Sequence, residues 1–189
     1  MNVYDFDNTI YNGESSFDLF LFYIRKDPAL LLLLPKVIVG FANYKRGKID
    51  ADGFLRAYAP LVEEKLRKIP DIEADMRDFW DKHMHKIKPF YAQMRREDDW
   101  IVTASPDFSV REVCRRLGVR NFVCTRVDPE TRRILHFNLR ERKIEAFRAA
   151  CPDAKIDAVY TDSPVNDAAL IDMAQRAYEV RGNRIKQIK

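Results

Sequence analysis

The sequence is poor in cysteine, and what it has is badly spaced for chemistry. Cys114, Cys124 and Cys151 are an odd number with no CxxC pair, which excludes a disulfide framework and a thiolate zinc site. They read as small buried apolar residues in a reducing cytoplasm. Histidine is equally sparse. His83 and His85, two apart on a predicted helix, face different ways, and with His136 they read as surface or helix residues without a metal. No internal repeat or low-complexity block is visible, and the residues that open the chain, a strand followed by acidic groups, predict no secretory leader. The longest apolar run, over 29–41, is interrupted by Pro35 and Lys36 and falls short of the roughly 20 residues that cross a bilayer. It reads as a helix packed inside the fold or, with Arg25, Lys26, Lys45 and Arg46 flanking it, as an interfacial segment making peripheral membrane contact. A net charge of +4 from 33 basic and 29 acidic residues is too mild to argue for nucleic acid, and fits an anionic substrate or membrane surface.

What is present is the composition of an ordinary globular protein, 47% hydrophobic and 33% charged over 189 residues. From Ser15 to Phe90 the apolar residues recur at three and four, with breaks at Asp27-Pro28, Arg46-Gly47 and Pro70-Asp71, so about four helices are expected. From Trp100 the texture changes. Trp100-Ile101-Val102 predicts a buried strand, residues 103–107 a turn, and 108–117 a helix; 121–125 another strand; 128–131 a turn into a ribbon at 133–137. A helix over 142–150, a strand at 158–160, a helix over 168–174 and a last strand at 178–180 complete the pattern. Strands alternating with helices imply a parallel sheet with right-handed crossovers. The helical block after the first strand then becomes a separate cap: an α/β core from 1–14 and 91–189, and a cap over 15–90.

The chemistry starts at Asp5-Phe6-Asp7-Asn8-Thr9, directly behind the apolar stretch that forms the first expected strand. Two carboxylates two apart project together from the carboxyl end of such a strand, where open α/β sheets bind ligands. Like charges so close need a cation or a proton between them. One Asp to attack, one to move a proton and a metal to quiet both is a layout for phosphoryl transfer; the plain alternative is a solvated acidic turn with Asn8 or Thr9 capping a helix. Thr103 follows the second strand, where its hydroxyl and the next amides would hold a phosphate. Asp162 and Asp167 follow the strand at 158–160 and supply hard oxygens for magnesium, or simply an acidic helix start. Lys143 is the cation the scheme lacks, although beside Arg140 and Arg142 it also fits a solvated basic face.

Taken in order, Asp-x-Asp-x-Thr, strand-Thr, Lys and strand-Asp-x4-Asp resemble the haloacid dehalogenase superfamily along the entire chain, and its phosphatases in particular. The helical insert resembles the cap of the phosphoserine phosphatase-like branch. The resemblance implies a Rossmann-like doubly wound parallel sheet with an inserted all-α cap, Asp5 as nucleophile, Asp7 as acid and base, Thr9, Thr103, Ala104 and Lys143 around the phosphate, and Mg2+ held by Asp5, Asp7 through its main-chain carbonyl, and Asp162, with Asp167 orienting the shell. The dehalogenases themselves lack an acid at the position of Asp7, so dehalogenation is disfavoured.

The cap residues divide on the substrate, expected to be a small phosphorylated compound. Glu14 stands where phosphoserine phosphatases carry a substrate-binding glutamate; it equally fits a capping acid on the first cap helix. The stretch from Gly47 is similar to their second cap helix, but Tyr58 replaces the arginine that would bind the serine carboxylate, with Arg56 two residues away, and Thr103-Ala104-Ser105-Pro106 departs from their Ser-Gly-Gly. The leucine run ending in Pro35 and that same Thr-Ala-Ser-Pro sequence look similar to bacterial phosphatidylglycerophosphate phosphatases, which act on a lipid headgroup. A binder of phosphorylated ligands on this fold, without turnover, is the alternative of another class.

Overall fold

The computed structural model describes residues 1–45, 48–49 and 51–189; the expected helix break at Arg46-Gly47 lies outside the described residues. Among these, β1 (Asn2–Tyr4), β2 (Trp100–Pro106), β3 (Asn121–Val127), β4 (Ile134–His136), β5 (Ile156–Thr161), β6 (Ala174–Arg181) and β7 (Arg184–Gln187) form one sheet in the order β4-β3-β2-β1-β5-β6-β7. The five inner strands are parallel and the two edge strands antiparallel. The chain builds outward from β1 to β2 and β3, then returns to β5 on the other side of β1. That reversal opens a crevice at the carboxyl ends of β1 and β5, and makes the protein an α/β doubly wound fold.

Between β1 and β2 lie α1 (Ser15–Lys26), a 3-10 turn (Pro28–Leu33), α2 (Leu34–Lys45), α3 (Ala51–Leu66), α4 (Ile72–His83), a second 3-10 turn (Met84–Lys86) and α5 (Pro89–Met94). After β2 come α6 (Asp107–Leu117), α7 (Glu141–Ala150) and α8 (Ala168–Met173). Local chemistry sets several ends. The Asp71 carboxylate caps α4 by accepting from the Ala74 amide at 2.8 Å, and Gly118, at φ 67°, closes α6 in the left-handed conformation that only glycine adopts cheaply.

Alternation along the strands sorts the core into two layers. Tyr4, Ile101, Ala158 and Tyr160 point to one face; Val3, Val102 and Val159 point to the other, against Ile144, Phe147 and Leu170 of α7 and α8. On the first face Tyr4, Tyr160 and Tyr178 share a register and stack, with centroids 4.7 and 4.9 Å apart. The inserted helices are not set apart from this layer. Leu19 and Phe22 of α1 and Met76, Phe79 and Trp80 of α4 belong to the same buried cluster as Tyr4 and Phe6, and the Trp80 indole N–H donates to the Ser109 carbonyl of α6 at 2.9 Å.

Several boundaries differ from the expectation. Residues 103–106 continue β2 instead of forming a turn, because Pro106 still pairs with Thr125 after a register shift and the Thr125 hydroxyl donates to the Ala104 carbonyl at 2.6 Å. The helix expected over 168–174 stops at Met173, and Ala174 already opens β6. The hairpin into β7 was not foreseen: it turns at Gly182, φ 59°, and every residue of β7 is exposed, so no apolar alternation announces it. His136 lies on the edge strand β4, within the ribbon expected over 133–137. Cys114 and Cys124 are buried free thiols and Cys151 is half-buried. The run over 29–41 is not packed away: Leu30 is buried, whereas Leu31, Leu32, Ile38 and Val39 are exposed, Leu32 at 83%. No described helix is long and apolar enough to cross a membrane.

Because Trp80 is fully buried and joins two helices to the sheet, Trp80→Ala is expected to cost about 3–5 kcal/mol in a denaturant titration.

Candidate active site

Beyond β1 the backbone amide of Asp5 still pairs with Tyr160 of β5 at 2.9 Å, so its side chain emerges at the crevice. The chain then folds tightly. The Phe6 carbonyl accepts from the amides of Thr9, Ile10 and Tyr11, Asn8 sits at φ 57°, and the Asn8 amide bonds the Gly13 carbonyl. This turn carries Asp7 toward α1. One oxygen of Asp7 accepts from the Ser15 amide, at the positive end of that helix, at 2.6 Å; the other accepts from the Ser105 hydroxyl at 2.8 Å. Burial pushes the Asp7 carboxyl up to about 6, against the donors from Ser15 and Ser105 that favour its ionised form. The helix-capping reading of Asn8 and Thr9 is thereby set aside, since the next helix begins only at Ser15.

Lys143 is not on a solvated basic face. Its ammonium is buried, donating to Asp5 at 2.8 Å and to Asp167 at 2.9 Å. Burial alone would lower this lysine, but the carboxylates of Asp167 and Asp5 outweigh it and hold the charge on the amine. Asp5 is raised, first by burial and further by Asp167 and Asp162, with Lys143 opposing. Burial, rather than the neighbouring carboxylates that Lys143 offsets, is what raises it. Asp167 sits at the start of α8 without capping it; its second oxygen accepts from the Thr161 hydroxyl at 2.6 Å, so both oxygens are engaged by the protein and it anchors Lys143.

Thr9 does not line the cleft. Its fully buried hydroxyl accepts from the Asp162 amide at 2.8 Å, tying the loop after β5 to the loop after β1. Thr103 and Ala104 do line it, on strand rather than at a helix start, and the Thr103 hydroxyl accepts from the Ser105 amide at 3.1 Å. Behind them the buried Asn138 donates to the Thr103 carbonyl at 2.7 Å. Ser105, Ser15, Thr161 and Asn138 were not singled out beforehand as site residues. Ser105 had drawn notice only as a departure from a motif, and the others become visible only through their partners.

Asp5, Asp7, Thr103, Ala104, Lys143, Asp162 and Asp167 line a cleft of about 900 Å³. Much of the rest of its lining is apolar, with Phe17, Phe20, Leu30, Val37, Leu55 and Leu66 among others. Glu14 lines it, precedes α1 without a side-chain cap, and accepts from Asn8 at 2.9 Å. Tyr58 also lines it, braced over Gly40, where an added Cβ would fall 2.4 Å from the ring. Arg56 is exposed and outside the cleft.

Among the described residues no three of His, Cys, Asp and Glu form a ready metal cage. The donors still suit magnesium. Asp5 and Asp162 offer hard oxygens to one cleft, and magnesium characteristically takes one or two carboxylates and completes its shell with water and phosphate oxygens.

The chain matches the haloacid dehalogenase-like hydrolase family over residues 3–172 and belongs to that family. No curated protein sequence matches it. Among solved structures it is similar to a protein of unknown function from Bordetella pertussis Tohama I, with 20% identity, TM-score 0.70, and 94% of this chain and 87% of that one covered. It is also similar to a phosphoserine phosphohydrolase-like protein from Francisella tularensis subsp. tularensis SCHU S4, with 17% identity, TM-score 0.62, and 94% and 86% covered. A phosphoserine phosphatase from T. onnurineus aligns at 16% identity and TM-score 0.54 over 94% and 81%. At these identities the likeness is one of fold.

The tie between the two loops has a measurable worth. Thr9→Val removes the hydroxyl and leaves the Asp162 amide without it, so a loss of about 1–3 kcal/mol is expected in urea unfolding.

Proposed function

We propose that this chain is a magnesium-dependent phosphomonoester hydrolase working through an aspartyl phosphate on Asp5. The observation that carries the reading is the placement of two Asp side chains with unlike partners beside one cleft: Asp5 against a buried ammonium, Asp7 against a helix N-terminus and a hydroxyl. A carboxylate next to Lys143 is suited to attack phosphorus in line while that lysine, with Thr103 and the Ala104 amide, holds the phosphoryl oxygens. Asp7 then protonates the departing oxygen and, in the second half, takes the proton from the attacking water. Magnesium, held by Asp5 and Asp162 with the Asp7 main-chain carbonyl and steadied by Asp167, would supply charge neutralisation for the phosphate. In this reading the cap spans 15–90 over a core of 1–14 and 91–189, with α1 and α4 as the stalk that shares the sheet's core.

Asp5→Asn is expected to lower p-nitrophenyl phosphate hydrolysis by at least about 10³-fold, and chelation of magnesium to abolish it reversibly. Residual turnover near the parent level in Asp5→Asn would remove the nucleophile assignment. Failure of the parent on a broad phosphate panel would favour the non-catalytic binder.

A second reading concerns the leaving group, and the apolar lining of the cleft favours it. Phosphoserine fits that lining poorly: by the sequence resemblance Tyr58 stands where a carboxylate-binding arginine is expected, and Arg56 is exposed outside the cleft. A lipid phosphate fits better, its headgroup at Asp5 and its chain among Phe17, Leu30 and Leu55, with Leu31, Leu32, Ile38 and Val39 exposed nearby for membrane contact. Higher turnover of phosphatidylglycerophosphate in mixed micelles than of phosphoserine is the expected result, with cosedimentation on anionic liposomes that Leu32→Glu weakens. Preference for phosphoserine and no cosedimentation would return the substrate to the small metabolites.

A further inference from the structure

One buried charge has no part in the chemistry described so far. Lys88 is 3% exposed, immediately before α5, and does not line the cleft. A lysine is rarely buried unless paired, and no ion pair to a described carboxylate accompanies this one. Its ammonium reaches the Asn8 main-chain carbonyl. The backbone around it is laced to the same turn: the Lys88 amide donates to Ile10 at 2.8 Å, Asn12 donates to Lys86 at 2.8 Å, and Tyr11 bridges Ile87.

The peptide that Lys88 grips is a junction. Asn8 stands in the left-handed region at φ 57°, with Asp7 before it and Thr9, the hydroxyl partner of the Asp162 amide, after it. Rotation of that peptide would move the proton-transferring carboxyl and loosen the Asp162 loop together. The Asn8 side chain and amide are already bound, to Glu14 and Gly13, and the lysine closes the set on the carbonyl side.

We propose that Lys88 is a positioning residue for phosphoryl transfer: from outside the cleft it fixes the Asn8–Thr9 peptide. The inference rests on the phosphatase reading above. Catalytic rates fall steeply with sub-ångström misplacement, whereas phosphate binding by Lys143 and Thr103 does not depend on this peptide.

The test uses Lys88→Met and Lys88→Arg in the full chain, with folding checked by circular dichroism. In Lys88→Met, kcat for p-nitrophenyl phosphate is expected to fall about 10- to 100-fold with KM changed by less than about two-fold. Lys88→Arg keeps the charge and a donor for the Asn8 carbonyl, and is expected to recover kcat to within about three-fold of the parent. Unchanged kcat, or a KM that rises as much as kcat falls, in Lys88→Met overturns the inference. If Lys88→Met does not fold, Lys88→Gln is read by the same two criteria. A parent without hydrolytic activity overturns the phosphatase reading, whereas an active parent with an unaffected Lys88→Met overturns this inference alone.

Discussion

The ammonium of Lys143, held between Asp5 and Asp167, is the interaction on which the candidate site depends. It joins three pieces of chain that are far apart in sequence: the end of β1, the first turn of α7 and the loop after β5. A buried ion pair adds little net stability when complete, but removing one member strands the others in a poor dielectric at a cost of about 3–5 kcal/mol. The triad is therefore a constraint more than a reinforcement. It obliges the three segments to meet, and it leaves one carboxylate, Asp5, at the cleft with 12% of its side chain exposed.

Around that constraint the molecule is built to hold backbone still. Beneath Asp5 lies the tyrosine ladder of β1, β5 and β6; beside it Asn138 and Thr125 grip the backbone of Thr103 and Ala104 from behind. The Thr9 hydroxyl fastens the Asp162 loop. None of these groups needs to touch a ligand. Their effect is to fix side chains that do line the cleft, which is the usual division of labour between a reactive group and its supporting shell. The docking of α1 and α4 onto the same core extends that rigidity to α1, whose Phe17 and Phe20 line the cleft together with apolar residues between Leu30 and Leu66.

Much of this was legible beforehand. The alternation of strands and helices after Trp100, the long helical insertion and the places of Asp5, Lys143, Asp162 and Asp167 at strand or helix ends follow from periodicity and spacing, and the family match agrees with the resemblance drawn from them. Where local signal was weak, the reading fell short for physical reasons. β7 is exposed along its length, so no apolar period marks it; residues 103–106 have the composition of a turn but are kept in strand by Thr125; α8 is only six residues long.

The residue types of the site, their order along the chain and the α/β class were determined by the sequence alone, because strand periodicity and acidic spacing are local properties. Only the tertiary structure decided which groups became partners. Lys143 and Thr9 look alike in sequence as polar residues near a motif, yet one is buried against two carboxylates and the other against a backbone amide 153 residues away. Burial and pairing are set by what the rest of the chain brings alongside, and no window of sequence contains that.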